Sequence, residues 1–310
     1  MNTRRSQPFP RLQAAHASNT ADRAAQTGSG GGDAVRLSRR GLLVAGVAAA
    51  LTPSASVLAQ SMPAADMPVT SAPAGRNGIK ALVFDVYGTC TDYWSSIVEE
   101  GRALSKARGL EIDWPAIATE WSGLMLGGFK AIFDGQRPWQ SLAALRLDAL
   151  ESTLRRRGLD SALQTDLENL NDIWQRLRTW PDVIPGLRRL HQPYLLATLS
   201  NADMADMAML ARVRDFRWDL VMTAELARAV KPAPEVYQMA PTYLGLKPEE
   251  IMMVACHKPD LLGARGQGLR TAFIRRPLEA GPGGKVDTQP DPRFDLVADS
   301  FTELAHLLGA

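Results

Sequence analysis

From Ile79 onward, short apolar runs alternate with segments of helical period, and that alternation leaves few architectures open to the chain. The runs are Ile79–Tyr87, Tyr194–Ser200, Leu220–Ala224, Ile251–Cys256 and Thr271–Arg275, with a short sixth at Asp295–Ala298. Helical patterns at Asp203–Val213, Pro234–Leu244 and Asp260–Gln267 separate the later runs, and Phe301–Leu308 closes the chain. In Ala81-Leu82-Val83-Phe84 every position is apolar, not every second one. That pattern fits a strand buried on both faces. Such strands joined by helices predict an α/β protein with a Rossmann-like parallel sheet covered on both sides.

The stretch between Tyr87 and Tyr194 is far longer than one crossover needs. It reads as helices Ile97–Arg108, Trp114–Phe133, Leu142–Arg157 and Ser161–Arg178. Apolar positions recur at three and four, as in Leu142, Leu145, Leu147 and Leu150. The expected layout is a core beginning at 78–96, a helical cap inserted after the first strand at 97–180, and the rest of the core at 181–310.

The N-terminus reads as an address. Residues 1–59 carry seven Arg and two Asp. Arg39 and Arg40 stand before an apolar run from Gly41 to Leu51, and Val57-Leu58-Ala59 gives small or apolar residues before Gln60. This resembles a twin-arginine export signal behind an unstructured n-region. The apolar run is too short to span a bilayer about 30 Å thick. Residues 60–77, rich in Pro, Ala and Ser, read as a linker. The expected partner in transit is the twin-arginine translocation machinery, and the expected location is the periplasm or the outside of the cell. The net charge of +2 leaves a mildly acidic body without a dense basic face, which argues against nucleic acid as a partner. The two cysteines, Cys90 and Cys256, form no zinc spacing.

Four segments end at the sheet edge where open α/β folds bind ligands: Asp85-Val86-Tyr87-Gly88-Thr89, Leu199-Ser200-Asn201, Lys231-Pro232 with Tyr237 beyond, and Cys256-His257-Lys258-Pro259-Asp260. In this order, with a helical insert after the first, they resemble the haloacid dehalogenase superfamily. In detail they are similar to its type II 2-haloacid dehalogenases. The flanking phrases LSNAD, AVKPAPEVYQ and MMVACHKPDLLGARGQGLRTAFIRRPLE agree, and the resemblance covers about residues 78–309. It implies that Asp85 is a nucleophile forming an ester with a short 2-haloalkanoic acid. Lys231 is then the cation that keeps Asp85 ionised. Asp260 helps activate the hydrolytic water, and His257 is a candidate base because imidazole titrates near neutrality. Ser200, Asn201 and Thr89 are expected to hold the nucleophile or the substrate carboxylate, and Tyr87 and Tyr237 to line the pocket. Plainer readings stand beside these: Lys231 as a surface lysine, Asn201 as a helix cap, Thr89 as turn chemistry, Tyr237 as core packing.

Phosphatases of the superfamily carry a second Asp two residues after the nucleophile, where this chain has Tyr87. They also pair acids in the fourth motif, where only Asp260 remains. A magnesium ion wants several carboxylate oxygens. The expectation is therefore no metal and no cofactor, since halide leaves without a proton. The alternatives are a magnesium-dependent phosphatase of the same superfamily or a catalytically weak binding protein. One element of the resemblance is missing. Type II enzymes grip the departing halide with an Arg early in the cap, but Ile112–Glu120 contains none. Trp94, Trp114, Trp121, Arg102 and Lys130 are the substitutes on offer. Cys90 and Cys256 would lie on adjacent strands, where buried free thiols and a disulfide are both open, as is a homodimer.

Overall fold

The structure, a computed structural model, describes residues 78–310. The export signal, its n-region and the linker lie outside the described residues. Strand β1 (Ala81–Phe84) leads to a two-residue β2 (Thr91–Asp92). Then come α1 (Tyr93–Arg108), α2 (Trp114–Phe133), α3 (Leu142–Arg156) and the short turns α4 (Asp160–Leu163) and α5 (Leu167–Asn171). Strand β3 (Arg178–Thr179) pairs antiparallel with β2. The chain continues through α6 (Val183–Leu190), β4 (Leu195–Thr198), α7 (Met204–Arg214), α8 (Ala224–Ala227) and α9 (Pro234–Leu244). It ends with β5 (Ile251–Ala255), α10 (Lys258–Gly266), β6 (Arg270–Ile274), β7 (Leu296–Ala298) and α11 (Phe301–Leu307).

Five strands form one parallel sheet in the order β4-β1-β5-β6-β7. The chain leaves β1, adds β4 on one side and later adds β5 on the other. The sheet therefore reverses its order at β1, and in open α/β sheets the ligand crevice opens beyond the carboxyl end of such a strand. Asp85 is the first residue beyond it. Alternate β1 side chains serve opposite faces. Leu82 and Phe84 pack with the cap helices, α6 and α11, and Phe84 stacks on Phe301 at 5.6 Å. Ala81 and Val83 pack with Val236, Tyr237 and Leu261 on the other face.

Residues 93–177 form a helical insert on the two-stranded β2–β3 stem. Helix α1 starts at Tyr93, earlier than the sequence suggests, because the Asp92 side chain caps it by accepting from Ser95 N. The continuous helix expected over Ser161–Arg178 is instead broken into α4, α5 and 3-10 turns. Its short polar residues spend their hydrogen bonds elsewhere. Asn171 donates to Ala143 O, Asp166 takes Arg108, and Asn169 accepts from Arg176. The strand expected at Leu220–Ala224 is only a pair of isolated bridges, Ala197–Leu220 and Ser200–Thr223. Between them the Thr198 hydroxyl both donates to Met222 O and accepts from Met222 N, so a side chain stands in for the backbone ladder. Among the described residues no helix is long and apolar enough to cross a membrane.

Candidate active site

Asp85 is 5% exposed, and four side chains converge on its carboxylate. Thr89 Oγ1 donates to Oδ2 at 2.8 Å and Ser200 Oγ to Oδ1 at 3.1 Å. Lys231 Nζ lies 3.4 Å from Oδ1, and His257 Nδ1 lies 3.1 Å from Oδ2. Each donor comes from a different motif. Thr89 follows the Gly88 turn, Ser200 follows β4, Lys231 lies between α8 and α9, and His257 follows β5. Burial by itself raises the Asp85 pKa. Lys231 first, then His257 and Thr89, outweigh it and hold the carboxyl well below the ordinary carboxylate range.

Lys231 also reaches Asp260 Oδ2 at 2.7 Å, and its side chain is 6% exposed. The ammonium thus bridges the two carboxylates and offsets their mutual repulsion. Burial and the neighbouring Asp85 anion push Asp260 up against the pull of Lys231. Tyr237 is expected among the pocket contacts, but it is fully buried and its hydroxyl donates to Asp260 Oδ1 at 2.9 Å. Asn201 Oδ1 accepts from Lys231 N at 2.9 Å, so that oxygen positions the lysine backbone and not a substrate. Tyr87 is half-buried and stands edge-on to Trp174 at 4.9 Å.

Glu279, on the turn after β6, goes unnoticed in the sequence. Its Oε1 lies 2.6 Å from His257 Nε2, so the imidazole bridges two carboxylates. Burial pulls the His257 pKa down, but Cys256, Glu279 and Asp85 raise it further, to a value well above ordinary histidine. Both ring nitrogens face carboxylate oxygens, an arrangement that favours the doubly protonated ring. Gly88 makes room for this carboxylate: its φ is +85°, and a Cβ there would overlap Glu279. Cys256 Sγ lies 3.5 Å from His257 Nε2, and Cys256, His257 and Glu279 each offer a ligand atom within 4.8 Å of the others. Two tetrahedral ligands of one zinc ion stand about 3.3 Å apart. The 2.6 Å Glu279–His257 spacing is that of a hydrogen bond, so this group is a proton-sharing pair and not a metal cage. Both cysteines are buried free thiols, and burial pushes Cys256 up to about 11.

The three tryptophans offered as halide donors have spent their indole N–H groups. Trp94 bonds Thr119, Trp114 bonds Ser105 and Trp121 bonds the Arg146 carbonyl. Arg102 is exposed, and Lys130 pairs with Asp134 at the surface. The buried cation of the insert is Arg146 on α3, 1% exposed. Its Nη2 pairs with Asp206 at 2.5 Å, and its guanidinium lies over Trp174 at 5.4 Å. Among the described residues Arg146 Nε and Nη1, Trp174 Nε1 and Tyr87 OH are buried without a hydrogen-bond partner.

A buried carboxylate held by Lys231, His257, Thr89 and Ser200 at the switch point of a parallel sheet is the arrangement of a hydrolase site. The family model described as haloacid dehalogenase-like hydrolase matches residues 79–265, and the chain belongs to that family. It is 29% identical over 207 residues to (S)-2-haloacid dehalogenase 4A of Burkholderia cepacia, covering 64% of this chain and 84% of that one. Among solved structures, L-2-haloacid dehalogenase PA0810 is 38% identical with a TM-score of 0.69, covering 74% of this chain and all of that one. The defluorinating L-2-haloacid dehalogenase Rha0230 is 32% identical with a TM-score of 0.72, covering 77% and 98%. These relatives and the family support a hydrolase acting on carbon–halide bonds.

Proposed function

We propose that the protein hydrolyses a short 2-haloalkanoic acid by way of an Asp85 ester and without a metal ion. A carboxylate oxygen of Asp85 forms a bond to the halogen-bearing carbon as the carbon–halogen bond breaks, and the halide leaves with the electron pair. Water then attacks the ester carbonyl, releasing the 2-hydroxy acid and restoring Asp85. The observation that carries this reading is the ammonium of Lys231 between Asp85 and Asp260. It supports an ionised nucleophile and supplies positive charge to the carboxylate pair without a metal ion. For the departing halide the supporting groups are Arg146, whose Nε and Nη1 have no acceptor while Nη2 pairs with Asp206, and the Trp174 indole N–H, beside Tyr87. Buried unpaired donors of this kind stabilise an anion strongly.

The test is chloride release from 2-chloropropionate with and without EDTA, in the wild type and in Asp85→Asn. Release indifferent to EDTA and lost in the variant supports the proposal. Turnover of an aryl phosphate that EDTA stops would replace it with the phosphatase reading. We propose further that residues 36–59 direct export through the twin-arginine route. The sequence pattern supports this, and replacing Arg39 and Arg40 by Lys should keep the protein in the cytoplasm.

A further inference from the structure

Glu279 belongs to neither the nucleophile nor its four donors, yet it is buried, 8% exposed, and aimed at His257, which touches Asp85 and keeps part of its ring exposed. From the geometry we infer that Glu279 is the positioning residue of a Glu279–His257 pair that activates the hydrolytic water. This rests on the dehalogenase reading above.

The turn that carries Glu279 is anchored. Arg276, three residues earlier, is buried and donates from Nε to Thr89 O at 2.9 Å. Its other nitrogens bind Asp182 at 2.9 and 3.0 Å. Glu279 N closes the turn on Arg276 O at 3.1 Å. Nucleophile loop and Glu279 turn are therefore tied together, and a group held this way keeps its aim. The groups that face His257 are Asp85, Glu279, Cys256 and Tyr93, with Lys231 and Asp260 beyond.

In the resting state Nδ1 donates to Asp85 and Nε2 to Glu279, so His257 holds two protons and is no base. Alkylation converts Asp85 to a neutral ester and removes one of the two anions. His257 then gives its Nδ1 proton to solvent. Glu279 keeps the proton on Nε2, which fixes the tautomer whose free lone pair is on Nδ1, the atom beside the ester. A water oxygen bonds to Asp85 Cγ while one of its protons passes to Nδ1. The carbon–oxygen bond to the substrate then breaks, and the leaving alkoxide takes that proton. The new carboxyl proton of Asp85 returns to Nδ1 and restores the resting pair. One proton, one halide and one hydroxy acid leave per cycle, so the balance closes. An acid that orients an imidazole in this way is the same device that fixes the tautomer in a serine-hydrolase triad. The histidine is switched on only after the first half-reaction.

The experiment mixes the full chain with excess 2-chloropropionate and follows chloride and intact protein mass, for the wild type, Glu279→Gln and Glu279→Asp. The glutamine variant should release one chloride per active site at the wild-type rate. Turnover should then slow on the order of a hundredfold, with protein accumulating at the mass of the substrate fragment. Wild-type ester hydrolysis should rise with pH to a plateau, while the chloride burst stays flat. Glu279→Gln should lose that rise and Glu279→Asp should restore it in part. Undiminished turnover in Glu279→Gln would overturn the inference. So would equal slowing of burst and turnover without ester, the mark of a structural role alone. Absence of chloride from the wild type itself would instead sink the dehalogenase reading beneath it.

Discussion

Replacing Lys231 by Met probes the electrostatics on which the site depends. At an effective dielectric of about 20, an ammonium attracts a carboxylate by about 5 kcal/mol at the 3.4 Å distance of Asp85 and about 6 kcal/mol at the 2.7 Å distance of Asp260. Much of that gross attraction offsets the cost of burying the ammonium, and removing one partner of a buried pair nets about 3–5 kcal/mol of lost stability. The variant leaves two buried anions facing each other, and Asp260, already raised, takes up a proton first. An acid whose folded pKa lies above its unfolded value costs stability as pH rises past the unfolded value, and the cost vanishes below it. The melting temperature should therefore fall by about 10 °C at pH 8, at 2–4 °C per kcal/mol for a domain of this size, and by clearly less at pH 4. The chloride burst should also gain an acid limb, because Asp85 loses its main cation. An equal melting deficit at both pH values, or a larger one at pH 4, would refute the reasoning.

Arg146→Met breaks the buried pair with Asp206 and should cost about 3–5 kcal/mol, read by thermal denaturation. If the guanidinium also cradles the halide, chloride should inhibit the variant less than the wild type. Gly88→Ala puts a methyl group where the Glu279 carboxylate lies, at φ +85°. It should reproduce the ester accumulation of Glu279→Gln by displacing that carboxylate, although it neither adds nor removes a titratable group. The two thiols should resist iodoacetamide in the native protein and react together once it unfolds, because burial raises both pKa values.

The sheet was legible because β1, β5 and β6 are apolar at nearly every buried position, a pattern that water-facing strands do not show. The first-motif acid was legible because it ends such a strand. Helices with strong punctuation, such as α2 behind Asp113 and Pro115 or α9 opening at Pro234, matched the expected bounds. Where side chains replaced backbone pairing, the sequence misled: Thr198 against Met222, and the Asn and Asp residues between Ser161 and Arg178. Helix α6 was missed because Pro185 and Gly186 mask its short amphipathic face. Gly186 is needed there for close contact with Phe301. Glu279 was invisible for another reason. It lies in a turn far along the chain from Asp85, and only the register of β5 beside β6 brings that turn to His257. A nearby signal existed in Gly88, whose missing side chain leaves the space, but no local rule says which residue fills it. Arg146 went unremarked within the Leu142–Arg157 helix, because its burial against Asp206 depends on how α3 docks on α7.

The decisive measurement is a single turnover of 2-chloropropionate in water labelled with heavy oxygen, with enzyme in excess, followed by mass analysis of the peptide holding Asp85. If the ester forms and water attacks its carbonyl, the heavy atom appears in the Asp85 carboxylate, and the hydroxy acid carries ordinary oxygen. Label found only in the hydroxy acid, with the Asp85 peptide unchanged, would mean that water displaces the halide directly and would contradict the account.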